Sequence, residues 1–429
     1  IQQTLHTTLN SYLEKLLYLL TGHFGRQGGN NLHTSLLPLL GHTDERMSRK
    51  GRMPQRTAHH RMHPIAGIYP PNILPDEILH PGEDRVRAVF VDSANPLLTY
   101  ADTEAYERAF QSLELLVVVD VAMTETARQA HYVLPAASQF EKWEATGFNL
   151  EFPENFFHLR HPLFAPLGAA LPEPEIYTRL LEKMGMIPPR FPLLALVARQ
   201  EPNLSAHLAY LGALAATLAR RPAWIPYAAS IVYRTLGPTL SAGAAAAAPL
   251  LPLAVQYATQ HTAAVKRAGH AGNRLTLGSA LFRAILAGRS GIVLSRHEFA
   301  DTWSLVQHPD RRIHLAIPEM LDELRALHTE SPPGVDYPLV LMAGERRSYN
   351  ANQIFRDPAW RKVDPDGALR IHPDDAQALD LASGARAICQ SARGEIQVVI
   401  AVDDTVRRGV VTLPHGYGMR YKDRPPLGP

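Results

Sequence analysis

Cysteine is nearly absent from this chain. A single residue, Cys389, stands among 429, which excludes an internal disulfide framework and any cysteine-based zinc or iron–sulfur site made by these residues alone. Charge of one sign is also missing. The 43 Lys and Arg against 41 Asp and Glu leave a formal net charge of +2, far from the basic excess of a dedicated nucleic-acid protein. No basic-then-apolar secretory pattern opens the chain, since the stretch from Ile1 to Asn10 is polar. A membrane span is not expected either. Between Arg234 and Lys266 there is no charged residue, but Pro238, Pro249, Pro252 and a preponderance of Ala favour a buried helical hairpin. The first residues run into a helix-like pattern with no initiator Met, so the sequence reads as a piece of a longer protein, taken as cytoplasmic.

The composition present is that of a globular protein. Apolar residues make up 46% and charged residues 20%, enough to bury a core and too apolar for general disorder. The length allows roughly three domains. The 35 prolines exceed the usual share of about 5% and point to long connections.

Periodicity divides the chain. Leu9, Leu13, Leu16, Leu17 and Leu20 make an amphipathic helix, followed by a glycine loop from Thr21 to Asn31 with Gly22 as its stop. The stretch from about Asp44 to Asp84, rich in Pro, His and Arg, reads as a long surface connection. Val86 to Val91 is a strand, and Ser93 to Pro96 a turn. Asp102 caps a helix that carries Tyr106, Ala109 and Phe110 on one face. Leu115 to Val119 is a continuous apolar run ending at Asp120, as in a strand buried on both faces. A short helix near Thr124 to Ala130 and a strand at Tyr132 to Leu134 complete β-α-β-α-β. That order implies a parallel sheet with right-handed crossovers and ligands beyond its carboxyl ends. Phe191 to His328 reads as helical. Strands at Leu339 to Met342, Ala368 to Ile371, Gly384 to Gln390, Glu395 to Val402 and Val410 to Leu413, with a short helix from His372 to Leu379, suggest a small β-barrel.

Three blocks of this sequence resemble the molybdopterin-dependent oxidoreductases of the dimethyl sulfoxide reductase superfamily, which includes formate dehydrogenases and nitrate reductases. They are Gln3 to Asn31, with Leu20-Thr-Gly-His-Phe-Gly25-Arg-Gln-Gly28-Gly29; Val91 to Asn149, with Asn95-Pro96, Asp120-Val-Ala-Met-Thr124-Glu-Thr126 and Val133-Leu-Pro135-Ala; and Gly344 to Gly418. They occur in the family's order and cover about half of the chain.

The resemblance implies an α/β fold. Residues 1–190 would be part of the family's parallel-sheet α/β domain, 191–335 a helical insertion or linker, and 336–429 a double-psi β-barrel that binds the dinucleotide. It implies molybdopterin guanine dinucleotide holding Mo or W. The metal-ligand residue and a 4Fe-4S cluster are expected only upstream of the matching region, so the isolated chain is expected to be inactive. The substrate would be a small molecule, and an electron-carrier protein or subunit is a possible partner. No catalytic residue and no metal ligand is assigned within this chain.

Each candidate contact has a chemical reason. Phosphates take backbone N–H groups from glycine turns and helix N-termini, which singles out Gly25, Gly28 and Gly29. Asp120, at the end of a buried strand, suits a ribose or a guanine edge. Thr124 and Thr126 offer hydroxyls, or cap the next helix. Ser93 and Asn95 belong to the turn after the first strand. Gln3 and Asn10 match polar positions of the family's segment near the pterin, while His6 is read as structural. In the barrel, Arg346, Arg347, Ser348 and Asn350 follow a strand end, where guanidinium groups bind pyrophosphate bidentately; His415, Gly416 and Tyr417 form a second such loop.

Other clusters are read as structural: His59, His60 and His63 as a solvated stretch, Glu141, Lys142 and Glu144 as caps or pairs, and Cys389 as a small apolar strand residue. Two rival functions remain. One is a catalytically degenerate nucleotide-binding or assembly module of the same fold. The other, a nicotinamide-dependent dehydrogenase, lacks the G-x-G-x-x-G that should follow a first strand.

Overall fold

A computed structural model describes residues 6–37, 56–64, 67–200, 207–241, 243–306, 308–329, 336–345, 364, 367–415 and 417. Its strands, in chain order, are β1 (Ala88–Asp92), β2 (Leu115–Asp120), β3 (Tyr132–Pro135), β4 (Glu144–Ala145), β5 (Glu154–Phe157), β6 (Leu159–Arg160), β7 (Ile292–Arg296), β8 (Val340–Glu345), β9 (Leu369–Ile371), β10 (Arg386–Ser391), β11 (Gly394–Val402) and β12 (Val410–Pro414). Two compact units share the chain: residues 1–40 with 136–330, and residues 41–135 with 331–429.

In the second unit β1, β2 and β3 form a parallel sheet in that order. The β2 sequence Leu-Leu-Val-Val-Val-Asp is buried from Leu116 onward, and β-branched residues pack well on such a two-sided surface. The crossover helix Thr103–Gln111 starts at Asp102, whose Oδ1 accepts from Ala105 N at 3.0 Å. Its buried face of Tyr106, Ala109 and Phe110 packs with Val91, Leu116 and Val118. The second crossover helix, Glu125–Gln129, is capped by Thr124 Oγ1, which accepts from Ala127 N at 3.2 Å.

The same unit holds a five-stranded mixed sheet ordered β10-β11-β9-β12-β8. Among the described residues β10 and β8 are its two ends. Leu369, Ile371, Val398, Ile400 and Val411 form its core together with Ala376 of the helix Pro373–Ala378. Cys389 lies in β10 and packs against this core, and burial pushes its thiol pKa up.

The stretch read as a surface connection needs correction. Residues 44–55 and 65–66 lie outside the described residues, but Leu74–Leu79 is a helix with Pro75, Glu77 and Ile78 buried. Only two apolar positions of that short segment face inward, too few to give a visible period.

The first unit is mainly helical. A helix at Thr7–Leu20 lies against Pro318–Ala326, with His6 Nδ1 bonded to Glu323 Oε1 at 2.7 Å and the Tyr12 hydroxyl donating to the Leu315 carbonyl. The uncharged stretch after Arg234 is buried through Ala247, Leu251, Ala254, Tyr257, Ala258 and Val265. No helix among the described residues is long and apolar enough to cross a membrane. Arg234 anchors the start of that stretch through Glu182 at 2.6 and 3.1 Å and Glu175 at 2.5 Å. The expectation of helix throughout 191–328 is also corrected, because β7 pairs antiparallel with β5. Its partner lies more than a hundred residues upstream, beyond any local pattern.

Candidate functional site

The carboxyl ends of β1 and β2 form the rim expected to face a ligand. Asp92 is exposed, and its Oδ1 accepts from the Ser93 hydroxyl at 2.9 Å. Ser93 turns the chain at φ +52° and donates its N–H to Val119 O at 2.9 Å. Asp120 is buried, and its Oδ1 accepts from Ala122 N at 3.1 Å. This rim of carboxylates and a hydroxyl is built to accept hydrogen bonds. It suits sugar hydroxyls and the ring and exocyclic N–H groups of a purine better than phosphate.

Asn95 is buried behind the rim. Its Nδ2 donates to Glu125 Oε2 at 2.7 Å, and its Oδ1 accepts from Thr126 N at 3.2 Å and Thr126 Oγ1 at 2.8 Å. Thr126 Oγ1 in turn accepts from Leu97 N at 3.3 Å. Asn95, Thr124 and Thr126 therefore make bonds that fix the shape of the rim from within.

The glycine loop belongs to the first unit. Gly25 N donates to Asn30 O at 2.9 Å and Asn30 N to His23 O at 2.7 Å. Asn31 Nδ2 donates to Gly29 O at 3.0 Å, while its Oδ1 accepts from Thr302 Oγ1 at 3.0 Å. Gly25 has φ +71°, and a Cβ there would lie 2.6 Å from Trp303 Nε1; at Gly29 a Cβ would lie 2.4 Å from His23 O. Both positions are glycine because the chain itself comes close. At Gly28, with φ +76°, nothing lies within 4 Å of a Cβ. Asn10 is half-buried on the first helix, its N–H donating to His6 O at 2.9 Å.

In the mixed sheet, Glu345 ends β8. It accepts from Arg370 Nη1 at 3.1 Å and Thr412 Oγ1 at 2.8 Å. His415 N donates to Glu345 O at 3.4 Å. Tyr417 is buried against Leu98, and its hydroxyl donates to Asp364 O at 2.8 Å. Ser93, Asn95, Asp120, Thr124, Thr126, His415 and Tyr417 all belong to the second unit. Gln3, Arg346, Arg347, Ser348, Asn350 and Gly416 lie outside the described residues.

Several polar residues were not singled out by sequence. Glu77 is buried, which by itself would raise its pKa, yet backbone N–H bonds from His59 at 2.8 Å and His60 at 2.9 Å bring it below the usual carboxylate range. A cavity of about 690 Å³ beside it is lined by Arg56, Arg61, His63, Tyr69 and Asp84. In the first unit Thr34, Tyr257, Ser295 and His297 form a buried network. Tyr257 Oη lies 2.7 Å from Thr34 Oγ1 and 2.6 Å from Ser295 Oγ, and His297 Nε2 lies 3.1 Å from each of those hydroxyls. These residues come from three distant segments, Ser295 and His297 sharing one, so no local spacing could have linked them. Glu141, Lys142 and Glu144 pair structurally, as expected: Glu141 takes N–H groups from Ser138 and Leu167 at 2.8 Å each, Lys142 pairs with Glu173, and Glu144 with Arg160.

Comparison with known proteins agrees with the order of these parts. Residues 6–183 match the family model "Molybdopterin oxidoreductase", and residues 339–426 match "Molydopterin dinucleotide binding domain". Together the two cover more than half of the chain. The chain belongs to the molybdopterin oxidoreductase family. Among molybdopterin oxidoreductases, it is 38% identical over 109 residues to formate dehydrogenase 2 subunit alpha of Methanococcus maripaludis, a match covering 25% of this chain and 16% of that one. It is 43% identical over 65 residues to formate dehydrogenase H of Escherichia coli, covering 15% and 9%. The matched parts thus span less than a fifth of these relatives. Among solved structures, acetylene hydratase from Pelobacter acetylenicus aligns with a TM-score of 0.44 at 18% identity, over 82% of this chain and 40% of that one.

Proposed function

We propose that this chain supplies binding walls for molybdopterin guanine dinucleotide in a Mo or W oxidoreductase of formate dehydrogenase or nitrate reductase type. In this reading residues 1–190 are part of the α/β domain, 191–335 a helical insertion, and 336–429 a double-psi barrel over the dinucleotide. The bound cofactor supplies two-electron redox at its metal. The chain's own share is to hold and orient it.

The observation that carries the proposal is the contact between Tyr417 and Leu98. Leu98 lies just beyond the turn after β1, and Tyr417 just beyond β12. The rim of the parallel sheet and a loop of the dinucleotide-binding segment are thereby parts of one packed unit. The acceptor set on this rim fits the nucleoside end of the cofactor. Asp120 and Asp92 accept hydrogen bonds from guanine N–H groups and ribose hydroxyls, while Ser93 donates or accepts. Asn95, Thr124 and Thr126 position that rim. Phosphate contacts fall to Arg346, Arg347, Ser348 and Asn350 and to the loop with His415 and Gly416, all in the second unit.

The test is nucleotide binding by calorimetry. The parent chain is expected to bind GDP more tightly than ADP, and Asp120→Asn to weaken GDP by about tenfold, the value of one charge-assisted hydrogen bond. Equal GDP affinity in parent and variant would remove Asp120 from the site.

A further inference from the structure

Among the described residues, His308, Asp310 and His314 form a group in which one ligand atom from each lies within 4.8 Å of the others. They belong to the first unit and follow the helix Asp301–Ser304. His308 Nδ1 lies 2.6 Å from Asp310 Oδ1, and His314 Nε2 lies 2.8 Å from Asp310 Oδ2. The two imidazole rings face each other with centroids 3.9 Å apart. One carboxylate thus bridges two imidazoles drawn from a seven-residue segment.

The backbone holds this arrangement without using the imidazoles. Arg311 reverses the chain at φ +57°, and its N–H donates to His308 O at 2.8 Å. Its Nη1 donates to Ser304 O at 2.8 Å and Val306 O at 2.7 Å, so this guanidinium is tied to main-chain carbonyls. Arg312 N donates to Asp310 Oδ1 at 2.9 Å and orients the carboxylate.

We propose that His308, Asp310 and His314 bind a divalent transition-metal ion of the zinc type. Two imidazoles and a carboxylate are a common three-ligand set for such ions, leaving a further position to water. The oxygen-seeking ions Mg²⁺ and Ca²⁺ are disfavoured by the imidazoles. Zinc–ligand distances of about 2.0–2.2 Å require ligand atoms about 3.3 Å apart in a tetrahedral site. The two imidazole–carboxylate separations, 2.6 and 2.8 Å, are shorter, so each ring must draw back from the carboxylate by about half an ångström to admit the ion. All three are solvent-exposed, with side-chain exposures of 44–55%, and are able to move that far. Binding would replace the proton-mediated contacts between the rings and the carboxylate, and would fasten the loop after the helix Asp301–Ser304.

The test is equilibrium dialysis of the full 429-residue chain against Zn²⁺ at neutral pH, with Mg²⁺ as a second probe. The parent is expected to hold one tight Zn²⁺ and no Mg²⁺. The double variant His308→Gln/His314→Gln should bind Zn²⁺ at least about tenfold more weakly, with unchanged far-ultraviolet circular dichroism. A control double variant at other exposed positions, His23→Gln/His328→Gln, should bind as the parent does. With Cu²⁺ as the probe, electron paramagnetic resonance should show coupling to two nitrogens that disappears in the His308/His314 variant. Equal Zn²⁺ affinity in parent and His308→Gln/His314→Gln, or the same loss in the control, would overturn the proposal.

Discussion

Asn95 Oδ1 accepts hydrogen bonds from both the backbone N–H and the hydroxyl of Thr126. The turn after β1 is thereby locked to the helix after β2. Replacing Asn95 by Ala leaves the buried Thr126 groups without that acceptor, and such losses cost about 2–3 kcal/mol. Thr126→Val, which removes only the hydroxyl, should cost less, about 1–2 kcal/mol. Urea unfolding measures both. An Asn95→Ala variant as stable as the parent would show that the two loops hold their positions independently.

Gly367 and Tyr417 give a second prediction. Gly367 has φ +61°, and a Cβ there would lie 2.7 Å from the Tyr417 ring. Gly367→Ala combines left-handed backbone strain of about 1–2 kcal/mol with displacement of that ring. It should raise hydrogen exchange across β9 and loosen the contact with Leu98. Tyr417→Phe, which keeps the ring and removes the hydroxyl that donates to Asp364 O, should cost about 1 kcal/mol and leave exchange nearly unchanged. The reverse order of effects would contradict the packing described.

A pH effect follows from the first unit. Burial, with the neighbouring His297 adding to it, pushes the His261 pKa from 6.5 down to about 4. Burial also lowers His297, against the pull of Asp301. In this range the unfolded chain binds more protons than the folded one, so stability falls as pH falls. The loss is absent above the unfolded value of about 6.5, develops as pH falls below it, and is complete below the folded value near 4. For His261 it should amount to about 1–2 kcal/mol after allowance for partial exposure. The melting temperature of His261→Gln should fall less than that of the parent between neutral and mildly acidic pH. Parallel curves would show that His261 titrates normally.

Local chemistry explains what the sequence revealed. The Leu115–Asp120 run, the caps at Asp102 and Thr124, and the short strands after 339 are each written within a few residues, and each forms where expected. The parallel order of β1, β2 and β3 followed from alternating elements. Features made by distant segments were not legible. The pairing of β5 with β7, the insertion of Glu77 beneath the His59 and His60 amides, and the Thr34–Tyr257–Ser295–His297 network all join residues far apart in the chain. Within the candidate site, residue type alone could not separate the exposed carboxylate of Asp92 from the inward-facing amide of Asn95. Asp92 ends β1 as Asp120 ends β2, so the two carboxylates share one rim.

The two units are interleaved along the chain rather than arranged one after the other. A ribosome would release residues 41–135 long before residues 331–429, their companions in the same unit. The unit that holds the β1–β3 sheet must then wait for its second sheet while nearly two hundred residues of the other unit emerge. Chaperone dependence during synthesis is the expected cost of this layout.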